Sequence, residues 1–414
     1  MELTSGYKRT EAGVIPDDWD VTHLAKVAEV RGGIAKNSNV TILDPISVHY
    51  LRVANVQDGF LDLSDLSKIE ISQQDLKRYS VLPGDVLMNE GGDLDKLGRG
   101  AIWQGGFSPC VHQNHVFVVR CKSQLLPEYL DVWTGTQPAR KFFLLAGKQT
   151  TNLASISKSS LGELPVGLPS LSEQRVIATA LSDVDALLSG LERLIAKKRD
   201  LKQAAMQQLL TGQSRLPGFS GKWEVKRLGE LTEMGSGGTP LSSVSAYYDG
   251  DIPWVSISDM TKGGKVIEST ERTLTSLGLA NSPAQLFPAG TVLYAMYASL
   301  GECSIAGMPL CTSQAILGIR TDSNLNAEFL FYFLTSLKTA VKSLGQQGTQ
   351  SNLNKGMVQD FRLALPSLSE QVAIATALSD MDAELAALEA RRDKTRALKR
   401  AMMQELLTGK TRLV

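Results

Sequence analysis

The heptapeptide Leu-Pro-Ser-Leu-Ser-Glu-Gln runs from Leu168 to Gln174 and again from Leu365 to Gln371, an offset of 197 residues. Carried forward to Leu216 and Leu413, the two copies are identical at about two-thirds of positions, which marks an internal duplication. Both copies read as one long helix. Ser170 and Ser367 precede Glu173 and Glu370 at the capping-box spacing, and Gly212 and Gly409 stand where a glycine ends a helix. Between these signals only Gly190 interrupts. Ile177, Leu181, Val184, Leu188, Leu191 and Ile195 recur at alternating four- and three-residue steps, as do Ile374, Leu378, Met381, Leu385 and Leu388. That is the seam of a coiled coil, in helices on the order of 60 Å long.

The first half of each helix is acidic (Asp183, Asp185, Glu192; Asp380, Asp382, Glu384, Glu389) and the second half basic (Lys197, Lys198, Arg199, Lys202; Arg391, Arg392, Lys394, Arg396, Lys399, Arg400). Antiparallel packing brings unlike halves together, whereas parallel packing sets like charges side by side. The segments before the helices also correspond, more weakly. Trp19, Val21 and Leu24 match Trp223, Val225 and Leu228 at an offset of 204, and the same offset relates Tyr50 to Trp254 and Asn55 to Asp259. Both segments mix short alternating runs with helical stretches near Pro127–Phe143 and Ala327–Ser343. The expected fold is α+β: two pseudo-two-fold related mixed α/β domains separated by a pair of long antiparallel coiled-coil helices. The expected boundaries are 1–167 and 213–364 for the two heads, and 168–212 and 365–414 for the helices.

The chain has 414 residues, 43% of them hydrophobic and 21% charged, enough for two or three globular units. Forty-three basic residues against forty-three acidic ones give no net charge, which argues against a strongly non-specific nucleic-acid binder. The first head (1–166) has 17 basic and 19 acidic residues, and the second (213–365) has 12 of each. No apolar run approaches the roughly 18 residues of a membrane span, so a cytoplasmic protein is expected. Four cysteines without a CxxC pair make no disulfide framework.

Two diverged heads on a repeated rod suit a bipartite target on duplex DNA, read at two places with a fixed separation. The paired helices opening on LPSLSEQ and ending on LLTG, the opening YKRTEAGVIPDDWDVTHL and its echo GFSGKWEVKRL resemble the specificity subunit of type I restriction-modification systems over essentially the whole chain. The resemblance implies two target recognition domains, each reading half of a split DNA sequence, with the helices as spacer and docking platform. It also implies two adenine-N6 methyltransferase subunits bound to this chain, and two ATP-driven translocase/endonuclease subunits in the restriction complex. S-adenosylmethionine, ATP and Mg belong, on this reading, to those partners. The competing class is a two-headed coiled-coil interaction scaffold that binds a non-DNA ligand.

Catalytic signatures are missing from the sequence. There is no Asn/Asp-Pro-Pro-aromatic clamp for a flipped adenine, and Gly409-Lys410-Thr411 has Gln404 where a P-loop requires glycine. Cys110, His112, His115 and Cys121 fit no familiar zinc spacing, and the second copy lacks the histidines. The reading is therefore a non-catalytic subunit with no metal or cofactor of its own.

Base edges are read by Arg or Lys on guanine and Asn or Gln on adenine, and phosphates are held by Lys, Arg, Ser and Thr. The polar loops offer such groups. In the first head they are Arg31, Lys36, Asn37, Asn55, Asn89, Lys96, Arg99, Gln113, Asn114, Lys148, Gln149, Thr150 and Asn152. In the second they are Ser236, Thr239, Asp259, Lys262, Tyr294, Tyr297, Ser313, Gln314, Gln346, Gln347, Gln350, Asn352 and Asn354.

Overall fold

The computed structural model describes residues 5–35, 42, 44–92, 97–98, 100–149, 154–347 and 352–413. The chain divides into two compact units, Met1–Glu192 with Arg391–Val414, and Arg193–Ala390. Each unit holds one mixed α/β head, the first half of the long helix that follows that head, and the last half of the other long helix.

The long helices are Leu171–Leu210 (40 residues) and Leu368–Leu406 (39 residues). Their starts explain why the heptapeptide is kept. Ser170 Oγ accepts the Glu173 N–H at 3.3 Å, and Ser367 Oγ accepts that of Glu370 at 3.4 Å. Gln174 fastens the helix to its head through three hydrogen bonds. Its amide donates to the carbonyls of Gln124 and Pro169, both at 3.0 Å, and accepts from the Leu126 N–H at 2.9 Å. Gln371 repeats all three, on Asn324 O, Pro366 O and Asn326 N–H.

The glutamates differ from the capping-box expectation. Instead of turning back to the helix N-terminus, the Glu173 carboxylate is buried under Arg412, whose Nη2 donates to it at 2.8 Å, and Trp19 Nε1, which donates at 3.2 Å. Glu370 has the same partners in kind, Arg215 and Trp223. The pull of a guanidinium fork on a buried carboxylate exceeds that of one backbone N–H. Both helices end on a left-handed glycine, Gly212 (φ 71°) and Gly409 (φ 65°).

Within each unit the two helix segments run antiparallel and their charges interlock as the sequence predicts. In the first unit Lys399 Nζ lies 2.6 Å from Asp185 and Arg396 pairs with Glu192. In the second, Lys198 lies 2.6 Å from Glu384, while Arg199 and Lys202 pair with Glu389 and Asp382. The seam is not coiled coil throughout. Ile177 and Leu181 join the core of the first head beside Trp19 and Tyr129, and Ile374 and Leu378 join that of the second beside Leu330 and Tyr332. The opening turns of each helix thus lie on a head, where each large side chain contributes about 1.5–3 kcal/mol of burial.

The heads are built around mainly antiparallel sheets, in which Val266–Ile267 pairs in parallel with Cys303–Ala306. In the first, the strand order is Ala28–Arg31, Val116–Cys121, Val86–Asn89, Gly100–Ile102. In the second it is Thr232–Ser236, Ile316–Thr321, Val292–Ala295, Cys303–Ala306, Val266–Ile267. Alternation along the central strands sends side chains to two cores. Phe117 and Val119 enter the large core shared with the long helices, and Val116 and Val118 enter a smaller one with Leu51 and Trp103. In the second head Leu317 and Ile319 face the large core and Ile316 the smaller. A further sheet lies beside each of these. Its members are Cys110–His112, Ile46–Leu51 and Ser67–Ile71 in the first head. In the second they are Arg272–Leu274, Tyr248–Val255, Leu310–Thr312 and Leu286–Phe287. Among the described residues no helix is long and apolar enough to cross a membrane.

Candidate nucleic-acid interface

Register gathers the polar loops of each head at one end of its sheet. In the first head Arg31 pairs with Val118, and Asn89 with Val116. Antiparallel pairing therefore places the end of the strand Ala28–Arg31, the end of Val86–Asn89 and the residues just before Val116 together. The loops there are stitched by backbone bonds: Asn114 N–H to Ile34 O at 3.0 Å, Glu90 N–H to His115 O at 2.9 Å, and Ile156 N–H to Glu90 O at 2.8 Å. The short strands Lys148–Gln149, Ala154–Ser155 and Gly91–Gly92 pair alongside. Gly33 is needed for this closeness, since a Cβ there would meet the carbonyl oxygens of His112 and Gln113 at 2.3 Å.

The second head repeats the arrangement. Ser236 pairs with Leu317 and Ala295 with Ile316. Gly237 N–H donates to Ile316 O, Gly238 N–H to Thr312 O, and Leu353 N–H to Met296 O. A Cβ on Gly237 would lie 2.3 Å from Thr312 and Ser313 carbonyl oxygens, the counterpart of Gly33. Ser236, Thr239, Tyr297, Ser313, Gln314 and Asn352 thus share one end of the head.

The side chains at these ends differ in freedom. Arg31 pairs with Glu29 at 2.7 Å, and its Nε is buried without a partner among the described residues. Gln113 Oε1 accepts weakly from the Val53 N–H at 3.4 Å. Asn114 Nδ2 stands 3.3 Å from His115 Nε2, whose ring is held through Nδ1 by Glu90 at 2.7 Å. Asn89 donates to Val56 O at 2.9 Å, while its Oδ1 is buried without a partner among the described residues. Lys148, Thr239, Lys262, Tyr297, Gln314 and Asn352 are exposed. Lys262 lies 3.7 Å from Glu271. Gln149 ends a short strand, and Gln346 and Gln347 end the helix Lys338–Gln347. Lys36, Asn37, Lys96, Arg99, Thr150, Asn152 and Gln350 lie outside the described residues.

Three of the residues taken from the sequence as surface groups are structural. Asn55 is buried, with its amide spent on Asp62 O at 2.8 Å, Asp65 O at 3.0 Å and the Arg52 N–H at 2.8 Å. Asp259, its counterpart, is buried too, accepting from Ser256 N–H at 2.8 Å, Ser256 Oγ at 2.6 Å and Glu271 N–H at 2.9 Å. Tyr294 lies wholly inside the core, its hydroxyl without a partner among the described residues and its pKa raised by burial. Asn354 is exposed but caps a short helix, accepting the Met357 N–H at 3.0 Å. Glu90 and His115, the neighbours of Asn89 and Asn114 in sequence, stand at the same end of the head.

The cysteine and histidine group has other occupations. His112 is buried and donates through Nδ1 to Val116 O at 2.6 Å; burial pushes its pKa down to about 4, so it is neutral at pH 7. Burial pushes the Cys110 and Cys121 thiols up to about 12. Among the described residues no group of three or more His, Cys, Asp or Glu is placed to hold a metal.

Similarity to known proteins follows the same two-part plan. The family model for the type I restriction modification DNA specificity domain matches residues 16–200 and again 220–395. A chain assigned to the MjaX system of Methanocaldococcus jannaschii as its type I restriction enzyme specificity subunit is 26% identical over 422 residues, covering 98% of this chain and 97% of that one. The MjaVIII specificity subunit of the same organism is 25% identical over 423 residues, covering 96% and 94%. The crystal structure of a type I restriction-modification S subunit from M. genitalium shares the fold, with a TM-score of 0.59 at 13% identity over 98% of both chains. Two heads of one plan, each followed by a helix opening on the same heptapeptide, are thus what the family model matches twice, and the chain belongs to the type I restriction-modification DNA specificity family.

Proposed function

We propose that each head reads one half of a split DNA sequence through the polar loops at the end of its sheet. On this reading Arg31, Gln113, Asn114 and Lys148 serve in the first head, and Ser236, Thr239, Tyr297, Ser313, Gln314 and Asn352 in the second. The observation that carries it is the pairing of like scaffolds with unlike ends. The strands, glycine contacts and helix anchors are duplicated, while the side chains at the sheet ends differ, as two readers of different sequences require.

The unbroken helices set the spacing of the two half-sites and dock the methyltransferase subunits. Those partners supply S-adenosylmethionine and the adenine-N6 chemistry, and the restriction subunits supply ATP-driven translocation and cleavage with Mg. The specificity chain itself is non-catalytic and works in the cytoplasm. The domain limits follow: heads at 1–167 and 213–364, helices at 168–212 and 365–414.

The absence of any basic excess in either head implies that affinity for DNA is shared with the partners, because the sequence-independent part of binding scales with the phosphates neutralised. The chain alone therefore binds duplex weakly, and the methyltransferase tightens it. The deciding experiment is to co-express the chain with its methyltransferase and map N6-methyladenine across host DNA. A bipartite motif is expected, and exchanging residues before Leu168 for another first head changes one half only. A change in both halves, or methylation without a split motif, overturns the reading.

A further inference from the structure

The first unit contains a cleft of about 840 Å³, formed by the helix Pro127–Thr134, the start of the first long helix and the segment around Phe60 and Leu61. Its lining combines apolar Ile102, Trp103, Val132 and Ala178 with Arg175 and the carboxylates of Glu128, Asp131, Asp183 and Asp185, of which Asp185 already holds Lys399 at 2.6 Å. The Asp131 carboxylate has no hydrogen-bond or ion-pair partner among the described residues.

The duplicate indicates what such a cleft accommodates. Leu126 N–H donates to Gln174 and Asn326 N–H to Gln371, which equates the helix Pro127–Thr134 with Ala327–Ser336. Glu328 then stands for Glu128, Phe331 for Asp131, Tyr332 for Val132, and Ser379 for Ser182. In the second unit Lys265 projects into this place from its own chain. Its ammonium donates to Glu328 at 3.0 Å, Ser379 Oγ at 3.1 Å and Tyr332 Oη at 3.4 Å. It also lies 5.0 Å from the centre of the Tyr332 ring and 5.8 Å from that of Phe331. Lys265 reaches there because it directly precedes the edge strand Val266–Ile267, and its carbonyl accepts the N–H of Ile305 on the neighbouring strand Cys303–Ala306. The first unit runs Gly59–Leu61 past the matching strand Gly100–Ile102, with Gly59 N–H on Gly100 O at 2.9 Å, and that segment carries no cation. It keeps the glutamate and the serine and substitutes a carboxylate for one ring.

We propose that this cleft receives a lysine or arginine side chain of the methyltransferase subunit, replacing from outside the contact that Lys265 makes from within. The apolar part of the lining suits the methylene stem of such a side chain, and the carboxylates suit its charged end. Duplex phosphate is excluded by the same carboxylates. The inference rests on the proposed docking of the methyltransferase on these helices. It adds that the docking sites at the two units are unequal, because only the first has an ionic socket open to a partner.

The test titrates the full-length chain with purified methyltransferase subunit. Wild-type binding is the control, and its failure would count against the docking reading itself. Given wild-type binding, the double variant Glu128→Gln, Asp131→Asn weakens one binding step by roughly tenfold and spares the other. Leu61→Lys, which plants a cation near the position of Lys265, does the same by occupying the cleft. A pH arm adds a readout that loss of packing would not give. Asp131 is faced by Glu128 on its own helix, Asp58 on the neighbouring loop, Asp185 on the first long helix and Lys399 on the second. Burial first, and then the carboxylates, raise its pKa to about 6, with Lys399 opposing. A bound cation favours the ionised form, so wild-type binding weakens between pH 7.5 and 5.5 more than binding by Asp131→Asn. Wild-type affinity in both folded variants, with pH profiles that coincide, overturns the proposal.

Discussion

The two units solve one packing problem with the same parts and then part company at the polar ends of their sheets. Glu173, Gln174, Trp19 and Arg412 hold the first long helix to the first head, and Glu370, Gln371, Trp223 and Arg215 hold the second. Even the glycine that admits a loop against the strand beside it recurs, as Gly33 and Gly237. The sheet ends share almost nothing: one offers Arg31, Gln113, Asn114 and Lys148, the other hydroxyls, Gln314 and Asn352. The divergence also reaches the cores, where the buried Phe331 and Tyr332 of the second head stand in place of Asp131 and Val132.

The largest effects should fall on the shared anchors. Arg412→Ala leaves the Glu173 carboxylate buried without its cation, at a cost of about 3–5 kcal/mol. Arg215→Ala does the same to Glu370, but less severely. Arg412 also grips Asp18 through two bonds of 3.0 Å, whereas Arg215 adds one to the Gly221 carbonyl at 2.8 Å. Denaturant unfolding of the two variants measures the difference, and equal losses below 1 kcal/mol would mean that the anchors do not hold the helices. Next come Gln174→Ala and Gln371→Ala. Each orphans one N–H and two carbonyls, for a loss of about 2–4 kcal/mol that should be equal in the two units.

Gly33→Ala and Gly237→Ala sharpen the contrast between scaffold and surface. Each forces a loop away from a carbonyl and costs about 1–3 kcal/mol. In methylation mapping, each should degrade one half of the motif and leave the other intact. The smallest effect is a gain. The ionised form of Asp131 is disfavoured in the folded chain, its pKa raised from the ordinary 3.8 to about 6. The folded state therefore takes up a proton more readily than the unfolded one. The resulting penalty is absent below about pH 4, grows between pH 4 and 6, and is complete above 6. Asp131→Asn should accordingly be more stable than wild type by about 1–2 kcal/mol at pH 7.5, after allowance for partial solvent access. Thermal unfolding should show the two converge by pH 4.

The rod was legible because periodicity, caps and charge all bear on one element, and the duplication supplied each signal twice. Long-range partners were not. The spacing of Ser170 and Glu173 predicts a carboxylate folded back on its own helix, yet its partner is 239 residues away in Arg412. By polarity alone Asn55 and Asp259 read as loop groups. Ser256 and Asp259 stand at the spacing of a capping box, and that signal would have assigned Asp259 to the backbone. Tyr294 belongs to a strand whose four residues, Val292–Ala295, are all buried, which an alternation-based reading of one exposed face cannot anticipate. In the interface, sheet register brought Arg31, Asn89 and Gln113 together, and register depends on pairing that no local window contains.

The central strand of each head carries a consequence for how such a protein changes over time. Because Val116–Val119 and Ile316–Ile319 are gripped from both faces, the strand that supports each sheet end is fixed before any ligand arrives. Ordering entropy at the loop bases is spent during folding rather than on binding. Amides along these strands should be among the slowest to exchange with solvent, while those a few residues beyond exchange quickly. On the proposed reading, a substitution at the tip alters what is bound without weakening what binds, so new specificities arise one side chain at a time.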